Sequence, residues 1–325
     1  MPHDAPPGGP GKLAPLEARA ITSRITRLSV LTACFLVAIK LAAYVMSGSV
    51  AMLASLADSA LDLAASLITF FAVRYAASPA DAEHRYGHGK AEALAGLFQA
   101  VLVAFSAALL LREAWLRFLD PQPVSAGGIA LSVMVISIAA TLLLVRAQAK
   151  AVARTGSLAV AGDRAHYLSD LGANLAVMAA IVLAVAGFEA ADPLIAGAVA
   201  IWLVWTALTI GGKAIGNLMD RELPEADRAQ ILALAKADPR VQGVSQLRSR
   251  ASGPFIHVQM HMALDPGLSL AETHAILTDA ENRIAAIWPA ADVIIHPEPA
   301  GTQADHGQAL LLTPDDDTGS DNGGG

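Results

Sequence analysis

Residues 49 to 78, SVAMLASLADSALDLAASLITFFAVRYAAS, are long and apolar enough to cross a bilayer, yet they enclose Asp58 and Asp62. A carboxylate inside a membrane span costs roughly 2.5 to 3.5 kcal/mol even on the insertion scale, so a pair of them demands a compensating partner. Four residues apart on a helix, the two share one face and can point at a common ligand. A cation supplies the missing charge; capping by Ser55, Ser59 or a neighbouring lysine is the structural alternative.

The rest of the chain is of the same kind. Of its 325 residues 54% are hydrophobic, and a mean hydropathy of +0.50 is too high for an ordinary soluble domain. Apolar runs recur at about 26–46, 49–76, 93–118, 128–150, 158–186 and 193–217, which predicts six spans of the ~20 residues a bilayer needs. An even number places both termini on one side. Lys12, Arg19, Arg24 and Arg27 precede the first span, Arg74, Arg85 and Lys90 follow the second, and Arg146, Lys150 and Arg154 follow the fourth. The opposite loops hold little beyond Arg112 and Arg117, offset by Glu113 and Asp120, so both termini are expected in the cytoplasm. Residues 1–22, rich in Pro and Gly and without an apolar run ahead of a cleavage site, read as a flexible cytosolic leader. Residues 301–325, with Asp315, Asp316, Asp317 and Asp321 among Gly, Ser and Thr, read as a disordered acidic tail. That tail supplies much of the net charge of -7, and no nucleic-acid partner is indicated. The single cysteine, Cys34, excludes an internal disulfide, a CxxC pair and a thiolate cage, leaving His and carboxylate as metal ligands.

The fifth span repeats the pattern of the second, with His166 and Asp170 four residues apart. Counted from Gly48, Asp58 lies ~15 Å into its helix, and His166 lies ~15 Å in from Gly156, so both reach the middle of a ~30 Å core. Asp58, Asp62, His166 and Asp170 can thus offer four N and O ligands to one tetrahedral ion, as zinc prefers. Asp163 and Arg164, one turn earlier, read as a snorkelling interfacial pair, and Asn174 as a supporting group or helix glue. In the loop PADAEHRYGHGKAE, Asp81, His84 and His88 fall within eight residues, a candidate second metal site in a loop whose imidazoles otherwise face water.

From 221 to 300 the pattern changes to helix, strand, strand, helix, strand, an αββαβ cytosolic domain. Pro224 opens its first helix, Asp238 and Pro239 end it, and Ser269 with Glu272 forms a capping box for the second. From Phe255 to Leu264 the even positions are apolar and the odd ones include His257, Gln259 and His261, a period of two with one core face and one face of imidazoles. His274, His296 and Glu298 complete a candidate peripheral metal site.

The stretches LADSALDLAAS, HRYGHGKAE, RAHYLSDLGAN, MDRELP and VIIHPEP resemble the cation diffusion facilitator family, and most closely its bacterial zinc and ferrous-iron efflux branch, from about Ser23 to Pro299. The resemblance implies a homodimer of six-span protomers in the bacterial inner membrane, exporting divalent cations in exchange for protons, with a metallochaperone-like cytosolic domain. It implies a transport site at Asp58, Asp62, His166 and Asp170 and a loop site at Asp81, His84 and His88. Lys90 and Asp220 match a charge pair that holds the dimer together near the membrane surface. His261, His274, His296 and Glu298 match a binuclear cytosolic site, with Glu298 where the closest relatives carry Asp. Ser245 stands where they have a histidine, and a hydroxyl is a poor zinc ligand, so the second ion is expected to be weak or absent unless His257 substitutes. The expected activity is export of Zn2+, with Fe2+ and Cd2+ as further cargo, since this ligand set suits each of them; Mn2+ is the harder competitor. An enzyme is not expected: there is no H-E-x-x-H and four ligands close the site. The alternative is a membrane metal sensor or structural protein.

Overall fold

The computed structural model describes residues 8–119, 128–185 and 191–301. The expected acidic tail lies outside them, apart from residue 301. Six long helices, α1 (Pro15–Ser47), α2 (Val50–Ala76), α3 (Lys90–Leu119), α4 (Gly128–Thr155), α5 (Leu158–Val185) and α6 (Ala191–Leu218), are followed by α7 (Glu225–Ala235), β1 (Gly243–Ser252), β2 (Phe255–Leu264), α8 (Leu270–Ile287) and β3 (Ala291–Pro299). The expected leader to residue 22 is corrected. Pro15 takes the first turn of α1, where its missing N–H is not needed, and the helix formers after it carry the helix through Arg19. Five of the six long helices are apolar enough to span a bilayer by length and composition. The other, α5, has the same 28 residues as α4 and α6 but carries Asp163, Arg164 and Asp170.

The described chain falls into two compact units, one built on the six long helices and the other on most of the small domain after Glu222. In the helical unit α1 packs on α2 and α4, while α3 packs on α5 and α6. Small residues set the closest approach. A Cβ on Gly162 of α5 would lie 2.8 Å from Gln99 Cβ and 3.2 Å from Gly96 Cα of α3, so glycine is required where these two backbones cross. The hairpin between α1 and α2 turns at Gly48, which is left-handed with φ 60° and closes α1 through its N–H to Tyr44 O.

Four helices meet at one carboxylate. Asp163 of α5 is buried and accepts from Ser66 of α2 at 3.2 Å and from Gln148 Nε2 of α4 at 2.8 Å. The same Gln148 amide donates to Ser29 Oγ of α1 at 3.1 Å, and the Tyr167 hydroxyl lies 2.9 Å from Ser66 Oγ and donates to Ser29 O at 3.3 Å. This corrects the reading of Asp163 as interfacial: its carboxylate turns into the bundle, where the donors it meets are on other helices.

The small domain has the expected element order and a three-stranded sheet in the order β1, β2, β3. Ser269 and Glu272 form the expected capping box, with Ser269 N donating to Glu272 Oε2 at 2.9 Å and Glu272 N donating to Ser269 Oγ at 3.4 Å. On β2 the even residues Ile256, Val258, Met260, Met262 and Leu264 are buried, as the alternation predicts. Ile256 N bonds Ala290 O and Ala300 N bonds Leu264 O, so β2 and β3 advance together as a parallel pair with Ile256 beside Ala291 and Leu264 beside Pro299. That register sets His257 beside Asp292 and His261 beside His296.

Asp163→Ala removes the acceptor that Gln148 and Ser66 share, leaving each only its second partner, so it is expected to destabilise the protein by about 1–3 kcal/mol. Thermal unfolding in detergent checks this, with Asp163→Asn, which keeps one acceptor, losing less.

Candidate metal centres

The helical unit holds the first centre. Asp62 Oδ1 and His166 Nε2 are 2.9 Å apart and both residues are buried. Ligand atoms of Asp62, His166 and Asp170 all lie within 4.8 Å of one another, a separation one ion can bridge. His166 Nδ1 and Asp170 Oδ2 are buried and have no hydrogen-bond partner among the described residues. Buried polar atoms are ordinarily satisfied, so an unpartnered carboxylate oxygen on a member of this cluster fits a cation as its missing partner. Asp58, the fourth expected ligand, is not in this cluster. One helical turn, ~6 Å of rise, separates it from Asp62, but it lines the same cavity of about 450 Å3, together with Asp62, Asp170, Lys40 and Ser59.

The loop brings Asp81, His84 and His88 together as the spacing suggests. Asp81 Oδ1 accepts from the His84 N–H at 2.6 Å and the Glu83 N–H at 3.0 Å, and its Oδ2 lies 3.2 Å from His88 Nε2. The His84 N–H, despite a slight opposing desolvation, leads the contacts that hold the Asp81 carboxyl below its ordinary range, keeping it ionised. His88 does not face water: it is buried, its ring 4.5 Å from that of Tyr75. Gly87, left-handed at φ 77°, turns the chain back so that His88 returns to Asp81. Just beyond, Lys90 Nζ meets Asp220 Oδ1 at 2.9 Å and donates to Leu218 O at 3.1 Å, within one protomer. Partial burial opposes ionisation of Asp220, but Lys90 together with the Arg250 guanidinium, 3.0 Å from Asp220 Oδ2, holds the carboxyl below its usual range.

In the small domain His261, His296 and Glu298 form the third cluster. His261 Nδ1 lies 2.5 Å from Glu298 Oε1, and the His261 and His296 rings are 4.9 Å apart, as the parallel register requires. Two expected members are elsewhere. His274 is exposed on α8, two residues and so about 200° around the helix from the buried Ile276, which turns it away from the core face. His257 is held by Asp292 at 3.1 Å and does not join the cluster, and Ser245 is exposed. The Asp292 partner is absent from the sequence expectations, and the neighbouring lysine they offer with Ser55 and Ser59 is Lys40, an isolated lysine deep in an apolar run.

A helical bundle with carboxylates and an imidazole converging in its interior, joined to a small ligand-bearing α/β domain, defines a polytopic membrane protein that handles cations. Residues 26–219 match the cation efflux transmembrane domain and residues 223–300 the cation efflux protein cytoplasmic domain. The chain belongs to the cation efflux family and is a membrane transport protein, not an enzyme. It is 46% identical to a cation-efflux pump FieF of Shewanella oneidensis, over 84% of this chain and 93% of that one. It is 39% identical to a cation-efflux pump FieF of Cronobacter sakazakii, over 86% of this chain and 93% of that one. A solved structure described as a putative zinc transporter CzrB in its zinc form is 26% identical and covers 26% of this chain and 99% of its own, with a TM-score of 0.25, below the level of a shared fold.

His274→Ala is expected to leave zinc binding at the third cluster within about twofold, and His296→Ala to weaken it tenfold or more, since only the latter removes a converging ligand. Calorimetric titration of the full chain carrying Asp62→Ala and Asp81→Ala isolates that cluster.

Proposed function

We propose that this cation efflux protein exports Zn2+, with Fe2+ and Cd2+ as further cargo, in exchange for protons, through Asp62, His166 and Asp170 with Asp58 closing the coordination. The observation that carries the reading is the convergence of one ligand atom each from Asp62, His166 and Asp170 within 4.8 Å of one another, with the buried Asp170 Oδ2 lacking a hydrogen-bond partner among the described residues. An imidazole with carboxylates suits zinc and other borderline divalent ions. A cation binds these groups only with His166 neutral and the carboxylates ionised, so metal arrival releases protons and protons expel metal. Competition becomes exchange when the cavity faces one side of the membrane at a time, with an inward proton gradient driving efflux. The protein works as a homodimer in the bacterial inner membrane with both termini in the cytoplasm. The Lys90–Asp220 pair steadies the dimer near the membrane surface, and the loop and small-domain clusters hold accessory ions. A flexible leader, the six-helix domain, the cytosolic domain and an acidic tail remain our division of the chain, with α1 now starting at Pro15.

Flux of zinc into sealed vesicles bearing the purified protein is the decisive measurement, because a metal sensor or structural protein moves none. Asp62→Ala is expected to reduce flux to background while the protein still inserts, since His166, left without its partner, can stay neutral in the bundle. Normal uptake by that variant would refute the site. His166→Asp is expected to raise manganese flux relative to zinc, an all-oxygen site favouring the harder ion.

A further inference from the structure

We infer that Lys40 is a resident counter-charge of the transport cavity, setting its net charge so that a divalent cation brings it to neutrality. The inference rests on the reading of that cavity as the cargo site. Lysines within membrane spans ordinarily snorkel toward an interface. Lys40, 8% exposed, instead lines the same cavity as Asp58, Asp62 and Asp170. Its Nζ donates to Ser59 Oγ at 2.6 Å and to Ser55 O at 3.3 Å, both on α2. Ser55, Ser59 and Asp62 follow one another at turn spacing, so the ammonium is fixed on the carboxylate-bearing face of α2. Among the described residues it makes no ion pair with a carboxylate, so neutral oxygens hold it and the carboxylates stay free for cargo.

Joining α1 to α2 does not explain a charge here. A glutamine would offer donors to the same two oxygens without the cost of an ammonium among apolar helices. The charge count does explain it. Arg112 and Glu113, which also line the cavity, offset each other, and His166 is neutral when it binds metal. Three carboxylates against the Lys40 ammonium leave two negative charges, which a divalent cation cancels. Without Lys40 the loaded cavity would keep a surplus negative charge, hold its cation more tightly and retain a proton when empty, effects that a low-dielectric site amplifies.

Zinc titration of the full-length protein tests this, with Asp81→Ala and His296→Ala throughout to silence the other clusters. Protons released per ion are read from the heats in buffers of different ionisation enthalpy. Lys40→Met is expected to bind zinc roughly tenfold tighter or more, to release up to one additional proton per ion and to transport more slowly in vesicles because release lags. Lys40→Gln, which keeps the donors to Ser59 and Ser55, is expected to behave like Lys40→Met, and Lys40→Arg like the parent. Unchanged affinity and proton count in Lys40→Met and Lys40→Gln, or weaker binding with an unchanged count, would overturn the inference and leave Lys40 as a helix tether. Asp62→Ala in the same background separates the two readings. If it keeps zinc binding and flux, the cargo site itself is wrong and the inference falls with it; if it abolishes both while the lysine variants change nothing, only the inference falls.

Discussion

A carboxylate in a low-dielectric interior must find a proton, a cation or a set of donors, and the helical unit is arranged around three answers to that demand. Asp62 meets His166, an imidazole that can share or give up its proton. Asp163 collects donors from neighbouring helices. Asp58 and Asp170 face a cavity that a buried lysine also lines. Only the second answer is permanent, because its partners are amide and hydroxyl groups that do not titrate. On the proposed function the first and third are exchangeable, and exchangeability of the balancing charge is what separates a transport site from a structural one.

The permanent knot and the exchangeable site are neighbours on α5. Asp163 and Tyr167 tie that helix to α1, α2 and α4, and His166 and Asp170 converge with Asp62 from the turns around them. Fixing one end of this helix segment restricts where the imidazole can point, so on the proposed function the donors held by Asp163 position His166 without touching the cargo. The glycine crossing between Gly96 and Gly162 makes a different surface: the Gly162 backbone lies against the Gly96 backbone and the base of the Gln99 side chain.

Much of this was legible in the chain because it is written in spacing. The four-residue intervals of Asp58 to Asp62 and His166 to Asp170, the capping box at Ser269 and Glu272, and the alternation along β2 each follow from the period of a single element. What was illegible depended on a second element. Asp163 is a helix-surface aspartate by its own sequence, and only Gln148 and Ser66, distant in the chain, make it a buried one. His274 has the right residue type for a ligand, but its direction is set by which face of α8 the sheet covers, and Ile276, Ala280 and Ile284 take that face. Asp58 and Asp62 share a helix face, yet convergence on one point needs side chains to lean across a full turn, which spacing does not decide. The start of α1 was misplaced because apolarity marks the membrane, not the helix.

The parallel register of β2 and β3 makes the third cluster a ruler as well as a ligand set. Its members come from two paired strands that the chain joins through α8, so their meeting depends on counting residues correctly between Ile256 and Leu264 on one side and Ala291 and Pro299 on the other. Shifting that count by a single residue sends a strand's imidazoles to the opposite face while leaving composition, charge and helix content untouched. A one-residue insertion or deletion within β3 is therefore a ligand mutation in disguise, and the length of this strand should be as intolerant of change as its histidine.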